Sequence, residues 1–343
     1  MRAMVLKRLG SLAQRPEPLT LASDWPDPEP GPGQVLLEVS VCGVCHTELD
    51  EIEGRTPPPR LPVVPGHQVV GTVVGRGDGV DAALDGQRLG VAWIYSACGE
   101  CQHCRAGQEN LCPDFMASGR DADGGYAQAM TVPAAFAFPV PGVFSDAEAA
   151  PLLCAGAIGY RSLRLTGLRD GQRLGLTGFG ASAHLVLKMA RHSYPQSEVF
   201  VFARSPRERA FALELGAAWS GDTTDTPPAP LDAIIDTTPV WLPVLEALRN
   251  LAPGGRLVIN AIRKEDHDQD QLGRLDYARH LWMEREIKSV ANVAPRDVRE
   301  FLQLAAEIGI RPEVQEYPLH QANTALQELK QRKIRGAKVL RIG

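Results

Sequence analysis

Val41-Cys42-Gly43-Val44-Cys45-His46-Thr47-Glu48-Leu49-Asp50 places two thiols, an imidazole, a hydroxyl and two carboxylates within nine residues. That is more reactive chemistry than a turn after a strand needs, and Cys45 reads as a metal ligand. The chain supplies partners in His67 of Gly66-His67-Gln68 and Cys154 of Leu152-Leu153-Cys154-Ala155-Gly156. Two thiolates and one imidazole leave a fourth position open on zinc, the pattern of a catalytic rather than a structural site.

A chain of 343 residues exceeds what one hydrophobic core usually serves, so two domains are expected, and an apolar share of 44% can fill them. The net charge of -5, the pI near 5.9 and the lack of any Lys/Arg run offer no field for a phosphate backbone, which excludes nucleic acid as a partner. Met1 to Lys7 is too short and too interrupted for a secretory leader, and no apolar run reaches membrane-spanning length. The expectation is a soluble, cytoplasmic protein without a membrane partner. Seven cysteines, an odd count, argue against a disulfide framework. Six of them take metal roles below, and Cys42 remains as strand-end packing.

Ahead of Cys45, Gln34 to Val41 reads as a strand in a β-rich opening. Pro57 to Pro65 is a proline-dense connector, and the glycines that follow His67 fit bulges and tight turns in a small barrel. Cys98, Cys101, Cys104 and Cys112 then stand at Cys-x2-Cys-x2-Cys-x7-Cys, which can close a tetrahedron around zinc with no open position. An iron-sulfur cluster would suit the first three, but the bacterial ferredoxin run has three residues before its last cysteine. Unmetallated thiols are the remaining alternative.

After Cys154 the text changes. Arg173 to His184 reads as a short apolar strand, a glycine turn and a helix running to about Arg191. The turn is Gly178-x-Gly180-x-x-Ala183, a permitted form of the dinucleotide fingerprint. Gly178 makes the tight turn, Gly180 lets backbone approach a pyrophosphate, and Ala183 sits where helix and strand pack closely. The helix N-terminus offers N–H groups to the phosphates. Further strands at Glu198 to Ala203, Leu231 to Asp236, Gly255 to Asn260 and Glu286 to Val290 alternate with helices near Pro206 to Leu215 and Val240 to Asn250, which predicts a doubly wound parallel sheet. The tail reads as helices near Pro295 to Ile308 and Leu319 to Gln331 with a last strand from Ala337 to Ile342. It is expected to return to the first domain, giving boundaries of 1–154 with a zinc lobe at about 96–113, 155–290, and 291–343.

With these patterns in this order, the chain resembles the zinc-dependent medium-chain alcohol dehydrogenase family over essentially its whole length. The resemblance implies an α/β protein with a GroES-like, β-rich catalytic domain and a Rossmann coenzyme domain, the active site lying in the cleft. It implies a catalytic zinc on Cys45, His67 and Cys154, a structural zinc on the four lobe cysteines, and a homodimer or homotetramer. Zinc would polarise the oxygen of a primary alcohol, and hydride would pass to NAD(P)+ reversibly. By the same resemblance Thr47 takes the alcohol proton, Asp50 stands where many members end that relay with histidine, His46 meets the coenzyme pyrophosphate, and Trp93 narrows the alcohol pocket. Trp93 as ordinary core is the competing reading.

Two positions depart from the family. Glu48 replaces an aspartate that holds the histidine ligand, and the longer carboxylate is expected still to bond His67. Gln68 replaces a glutamate close behind the zinc, which removes a negative charge and should leave the metal more electrophilic. A family arginine near the C-terminus falls at Ala337, with Arg335 or Lys338 as substitutes. At the end of the second coenzyme-domain strand the acidic residue of NAD-preferring members is absent: Ala203, Arg204 and Ser205 stand there. Arg204 could pair with a 2′-phosphate, so NADP(H) is favoured and NAD(H) kept open. Two other functions compete with alcohol dehydrogenation or aldehyde reduction: a zinc-free quinone or enoyl reductase on the same scaffold, and a zinc-stabilised dinucleotide-binding redox sensor without turnover.

Overall fold

A computed structural model describes residues 1–331 and 336–343. The chain divides into two compact units, Met1–Cys154 with Val293–Gly343, and Ala155–Asn292.

In the first unit a seven-stranded sheet runs in the order Val314–Pro318, Ala337–Arg341, Gln34–Val44, Val69–Arg76, Arg88–Val91, Ala137–Pro139, with Ala129–Pro133 also on Gln34–Val44. The strand Gln34–Val44 buries Val35, Leu37, Val39 and Val41. Alternate positions share one face of a strand, so this period of two turns that face to the core. Each large apolar side chain so buried stabilises the unit by roughly 1.5–3 kcal/mol. The strand is also longer than its text suggested, because Cys42 to Val44 pair with the C-terminal strand and Cys42 also pairs with Val69. Lys338 stands opposite Val44, so the last strand of the chain braces the one that delivers Cys45. Cys42 is fully buried in it.

The second unit is a six-stranded sheet, all parallel, in the order Trp219–Gly221, Glu198–Phe202, Arg173–Thr177, Leu231–Asp236, Leu251–Ile259, Glu286–Ser289. Val199 to Phe202 are buried without alternation, as a strand covered on both faces should be. Phe200, Leu231, Ile234 and Leu257 of the sheet pack on Val244, Ala247 and Leu248 of the helix Leu242–Asn250. The architecture is α/β with a GroES-like first domain and a Rossmann-like sheet. The order reverses between Arg173–Thr177 and Leu231–Asp236, which makes the carboxyl ends of those two strands the topological switch point.

Candidate functional site

Cys45 ends the long strand and caps the helix His46–Ile52. Its Sγ accepts from the Thr47 N–H at 3.3 Å, and Glu48 Oε2 reaches back to the Cys45 N–H at 2.8 Å. The other oxygen of the same carboxylate lies 2.6 Å from His67 Nδ1. One buried side chain therefore orients two of the three ligands. Gly66 delivers His67 with φ at 103°, and a Cβ there would lie 2.4 Å from the Tyr126 ring. Only glycine serves both demands. Cys154 sits in a wide π-type turn, Leu152–Gly156, directly after Pro151. The missing N–H of that proline is a physical reason for the helix to loosen there.

The ligand atoms of Cys45, His67 and Cys154 lie within 4.8 Å of one another. Cys45 Sγ and His67 Nε2 are 3.6 Å apart. Zn–S of about 2.3 Å and Zn–N of about 2.0–2.1 Å at a tetrahedral angle require roughly that span. The hydrogen bond to Cys154, burial and Glu48 together push the Cys45 thiol well above its ordinary value. Burial works to lower His67, but Glu48 and Cys45 raise it well above the ordinary histidine range. A divalent cation is the counter-charge that lets such a cluster release its protons, so the donor set fits zinc.

The second cluster is Cys98, Cys101, Cys104 and Cys112. Sγ separations of 3.5 Å for Cys98–Cys112 and 3.9 Å for Cys98–Cys104 bracket the roughly 3.8 Å edge of a zinc–thiolate tetrahedron. They also exclude disulfides. Backbone N–H groups of Glu100 and Cys101 bring the Cys98 thiol down to about 7, while burial pushes Cys104 up to about 12.

Around the first cluster, His46 is exposed and Thr47 half-buried. Gln68 is buried with its side chain over the backbone of Gly43, where a Cβ would lie 2.3 Å from Gln68 Oε1. Asp50 is buried and ion-paired with Arg55, a partner its spacing did not announce. Trp93 Nε1 donates to Glu51 Oε1 at 3.4 Å. Burial and the nearby Glu48 charge lift the Glu51 carboxyl to about 8. Neither Glu51 nor Arg55 emerged from the sequence, although Glu51 follows Glu48 by three positions on the helix, a spacing that places both on one face. Lys338 is not available to a coenzyme: its buried Nζ donates to Tyr317 Oη and Glu328 Oε2 at 2.6 Å each and to Gln315 Oε1 at 3.0 Å. Arg335 lies outside the described residues.

In the second unit Gly178 turns with φ at 77°, where a Cβ would lie 2.8 Å from Thr237 Oγ1. Gly180 caps the helix Ala181–Ser193 without a side chain, and a Cβ on it would meet nothing within 4 Å. The first-turn N–H groups of such a helix have no intrahelical acceptor, which suits an anion there. Ala183 is fully buried. Ala203 follows the strand Glu198–Phe202, Arg204 is exposed, and Ser205 Oγ caps the next helix by accepting from Glu208 N at 3.4 Å. Arg209 Nη1 wraps this turn, donating to Ala203 O at 2.7 Å, Arg204 O at 3.0 Å and Asp222 Oδ2 at 3.2 Å. At the switch point Asp236 is buried, accepts from Thr177 Oγ1 at 2.6 Å and is ion-paired with Lys264. No helix among the described residues is long and apolar enough to cross a membrane.

Two family models match the chain: the alcohol dehydrogenase GroES-like domain over residues 31–142, and the zinc-binding dehydrogenase over residues 215–340. The chain is 48% identical over 320 residues to a probable alcohol dehydrogenase AdhA of Mycobacterium tuberculosis, covering 92% of this chain and 90% of that one. It is 32% identical over 319 residues to an alcohol dehydrogenase of Geobacillus stearothermophilus, covering 90% and 92%. Among solved structures it is similar to an NAD-dependent alcohol dehydrogenase with a TM-score of 0.87 at 26% identity, each chain covered in full at 100%.

Proposed function

The chain belongs to the zinc-containing medium-chain alcohol dehydrogenase family, and from that premise we propose a division of labour among its residues and a preference for NADP(H). It is a zinc-dependent, NAD(P)-dependent alcohol dehydrogenase, an oxidoreductase on CH–OH donors, with a Cys-His-Cys catalytic site and a structural four-cysteine site. Cys45, His67 and Cys154 would hold the catalytic ion. Zinc there supplies Lewis acidity toward the alcohol oxygen, and the dinucleotide supplies the hydride acceptor.

The rest is done by the chain. Glu48 keeps His67 in the tautomer that presents Nε2. Thr47 Oγ1 takes the proton of the alcohol, and Asp50, held by Arg55, stands next on that route as an altered relay. Gln68, a neutral amide, leaves the centre more positive than a carboxylate would. Trp93 narrows the pocket toward slim primary alcohols and aldehydes. Gly178, Gly180 and Ala183 shape the turn that receives the pyrophosphate, with His46 as a further contact for it. The exposed Arg204 beside Ala203 and Ser205 receives a 2′-phosphate, because no carboxylate ends that strand and Asp222 already pairs with Arg209. In this reading the first unit is the catalytic domain and the second the coenzyme domain. A homodimer is supported by an open sheet edge in the second unit, and seven cysteines outside any disulfide suit a reducing, cytoplasmic compartment.

The observation that carries the reading is the buried trio Cys45, His67 and Cys154 oriented by Glu48. Its test is zinc content on the purified protein, followed by NADPH and NADH oxidation with small and aromatic aldehydes. Two zinc ions per chain, turnover, and a higher kcat/KM with NADPH are expected. An Arg204→Ala variant that loses nothing with NADP(H) would refute the coenzyme preference; absence of turnover in the two-zinc protein would refute the residue roles.

A further inference from the structure

Glu51 stands one helical turn beyond Thr47 and Glu48, so the three side chains share a face of the helix His46–Ile52. The residue is only 1% exposed. Its Oε1 accepts the long bond from Trp93 Nε1 at 3.4 Å. Its Oε2 is buried and has no hydrogen-bond partner among the described residues. An orphaned carboxyl oxygen forfeits its hydration, and native proteins cover such an atom with a water or a ligand.

The surroundings point to a ligand. Glu48, three residues earlier on the same helix, lies 2.6 Å from the ligand His67, so Glu51 stands on the helix that frames the zinc centre. Its hydrogen-bond partner is the indole assigned above to the alcohol pocket. That indole is held on other sides by the Phe115 ring at 5.7 Å and by the Arg120 guanidinium, whose Cζ is 5.6 Å from the ring centroid. Arg120 is in turn fixed by Asp121 at 3.1 and 2.9 Å. The indole is therefore braced, and Oε2 is the polar atom beside it that no described residue bonds. A site with a buried, oriented polar group separates a ligand that bonds to it from an isostere that does not far more sharply than apolar contact can.

We propose that Glu51 is a specificity-determining residue whose Oε2 hydrogen-bonds a second hydroxyl of the substrate, so that the preferred alcohols are diols and the preferred aldehydes hydroxyaldehydes. This rests on the alcohol dehydrogenase reading and on Trp93 lining the pocket. The test compares n-butanol with trimethylene glycol, which replaces the terminal methyl by hydroxyl at equal length. The zinc-replete wild type should use the glycol at least as well as n-butanol. In Glu51→Leu the ratio of the two kcat/KM values should fall at least about tenfold toward n-butanol, whatever the absolute rates do. Glu51→Gln, which keeps an acceptor oxygen and the volume, should hold the ratio within about threefold. A ratio unchanged in Glu51→Leu means that water covers Oε2 and overturns the proposal. So does a wild type that prefers n-butanol by about a hundredfold, a result that needs no variant to fold. A zinc-replete wild type that oxidises neither alcohol overturns the underlying functional reading instead.

Discussion

At the scale of single residues, Glu48 does the most with the fewest atoms. Its two oxygens fix His67 and the Cys45 backbone at 2.6 and 2.8 Å, so removing it frees one ligand to rotate and uncaps the other. Glu48→Ala should lower zinc from two per chain toward one and cut kcat/KM by about 10–100-fold, because partners of metal-bound histidine carry effects of that order. Metal analysis and steady-state rates check this, and a variant that keeps both ions and its rate would refute it. Gln68→Glu tests charge rather than geometry. A carboxylate returned behind the centre disfavours ionisation of the bound alcohol, so the rising limb of the pH–rate profile should move to higher pH and turnover at neutral pH should fall by about tenfold or less. An unmoved profile would show that Gln68 is packing against Gly43 and nothing more. The ligands were legible in the sequence because thiol and imidazole chemistry announces itself by residue type and spacing. The partners of Asp50 and Glu51 were not. Neighbours on a helix point about 100° apart, so these adjacent carboxylates meet Arg55 in one case and Trp93 in the other, and composition says nothing of which.

At the scale of elements, strands with continuous apolar text were readable, and Leu231–Asp236 has the extent its residues suggest. Trp219–Gly221 and Val314–Pro318 were missed: the first has three residues, and the second mixes Gln and Glu with one buried tyrosine. Both are strands because a neighbour offers an edge, which no local pattern records. The helix expected from Leu319 to Gln331 is a short 3-10 turn, Leu319–Gln321, followed by Ala322–Lys330. That helix is tied back through Glu53, whose carboxylate bonds Lys330, Arg55 and, at 2.8 Å, the Leu12 N–H. Burial alone would raise this carboxyl, but Lys330, Arg55 and the Leu12 N–H bring it down to about 2. A folded-state value below the unfolded one, about 4.3 for a free glutamate, means that the clasp is fully stabilising above that pH and is lost as pH falls toward 2. Glu53→Gln should therefore lower the melting temperature at neutral pH and bring the variant and wild type together near pH 2. A gap in melting temperature that persists unchanged into acid would refute the clasp.

At the scale of the whole molecule, the open question is what covers the last strand of the parallel sheet. Among the described residues Glu286–Ser289 pairs only with Leu251–Ile259, and all four of its residues are exposed. Ile287 within it is exposed at 47%, and Tyr277, Trp282 and Met283, which precede it in the chain, are exposed at 64%, 55% and 51%. A bare strand edge flanked by large apolar groups is an association surface, and soluble folds normally blunt or cover it. Lys288 is the only basic residue within the strand, and its neighbour Arg256 is taken up by Glu286 at 2.8 Å, so charge does little to guard this edge. A second copy is the occupant that the proposed homodimer would place there. Two identical edges related by a two-fold axis run antiparallel, satisfy each other's backbone groups and bring the same apolar patch onto itself, which closes the assembly at two. The wild type should therefore have the mass of a dimer by light scattering. Ile287→Glu places two carboxylates across the axis where two side chains must meet, and should shift the protein to half that mass at micromolar concentration. Ser289→Pro offers an independent check, since it removes a backbone donor without adding charge. A wild type that is monomeric, or variants that keep the dimer mass, would mean that this edge is not where the copies join.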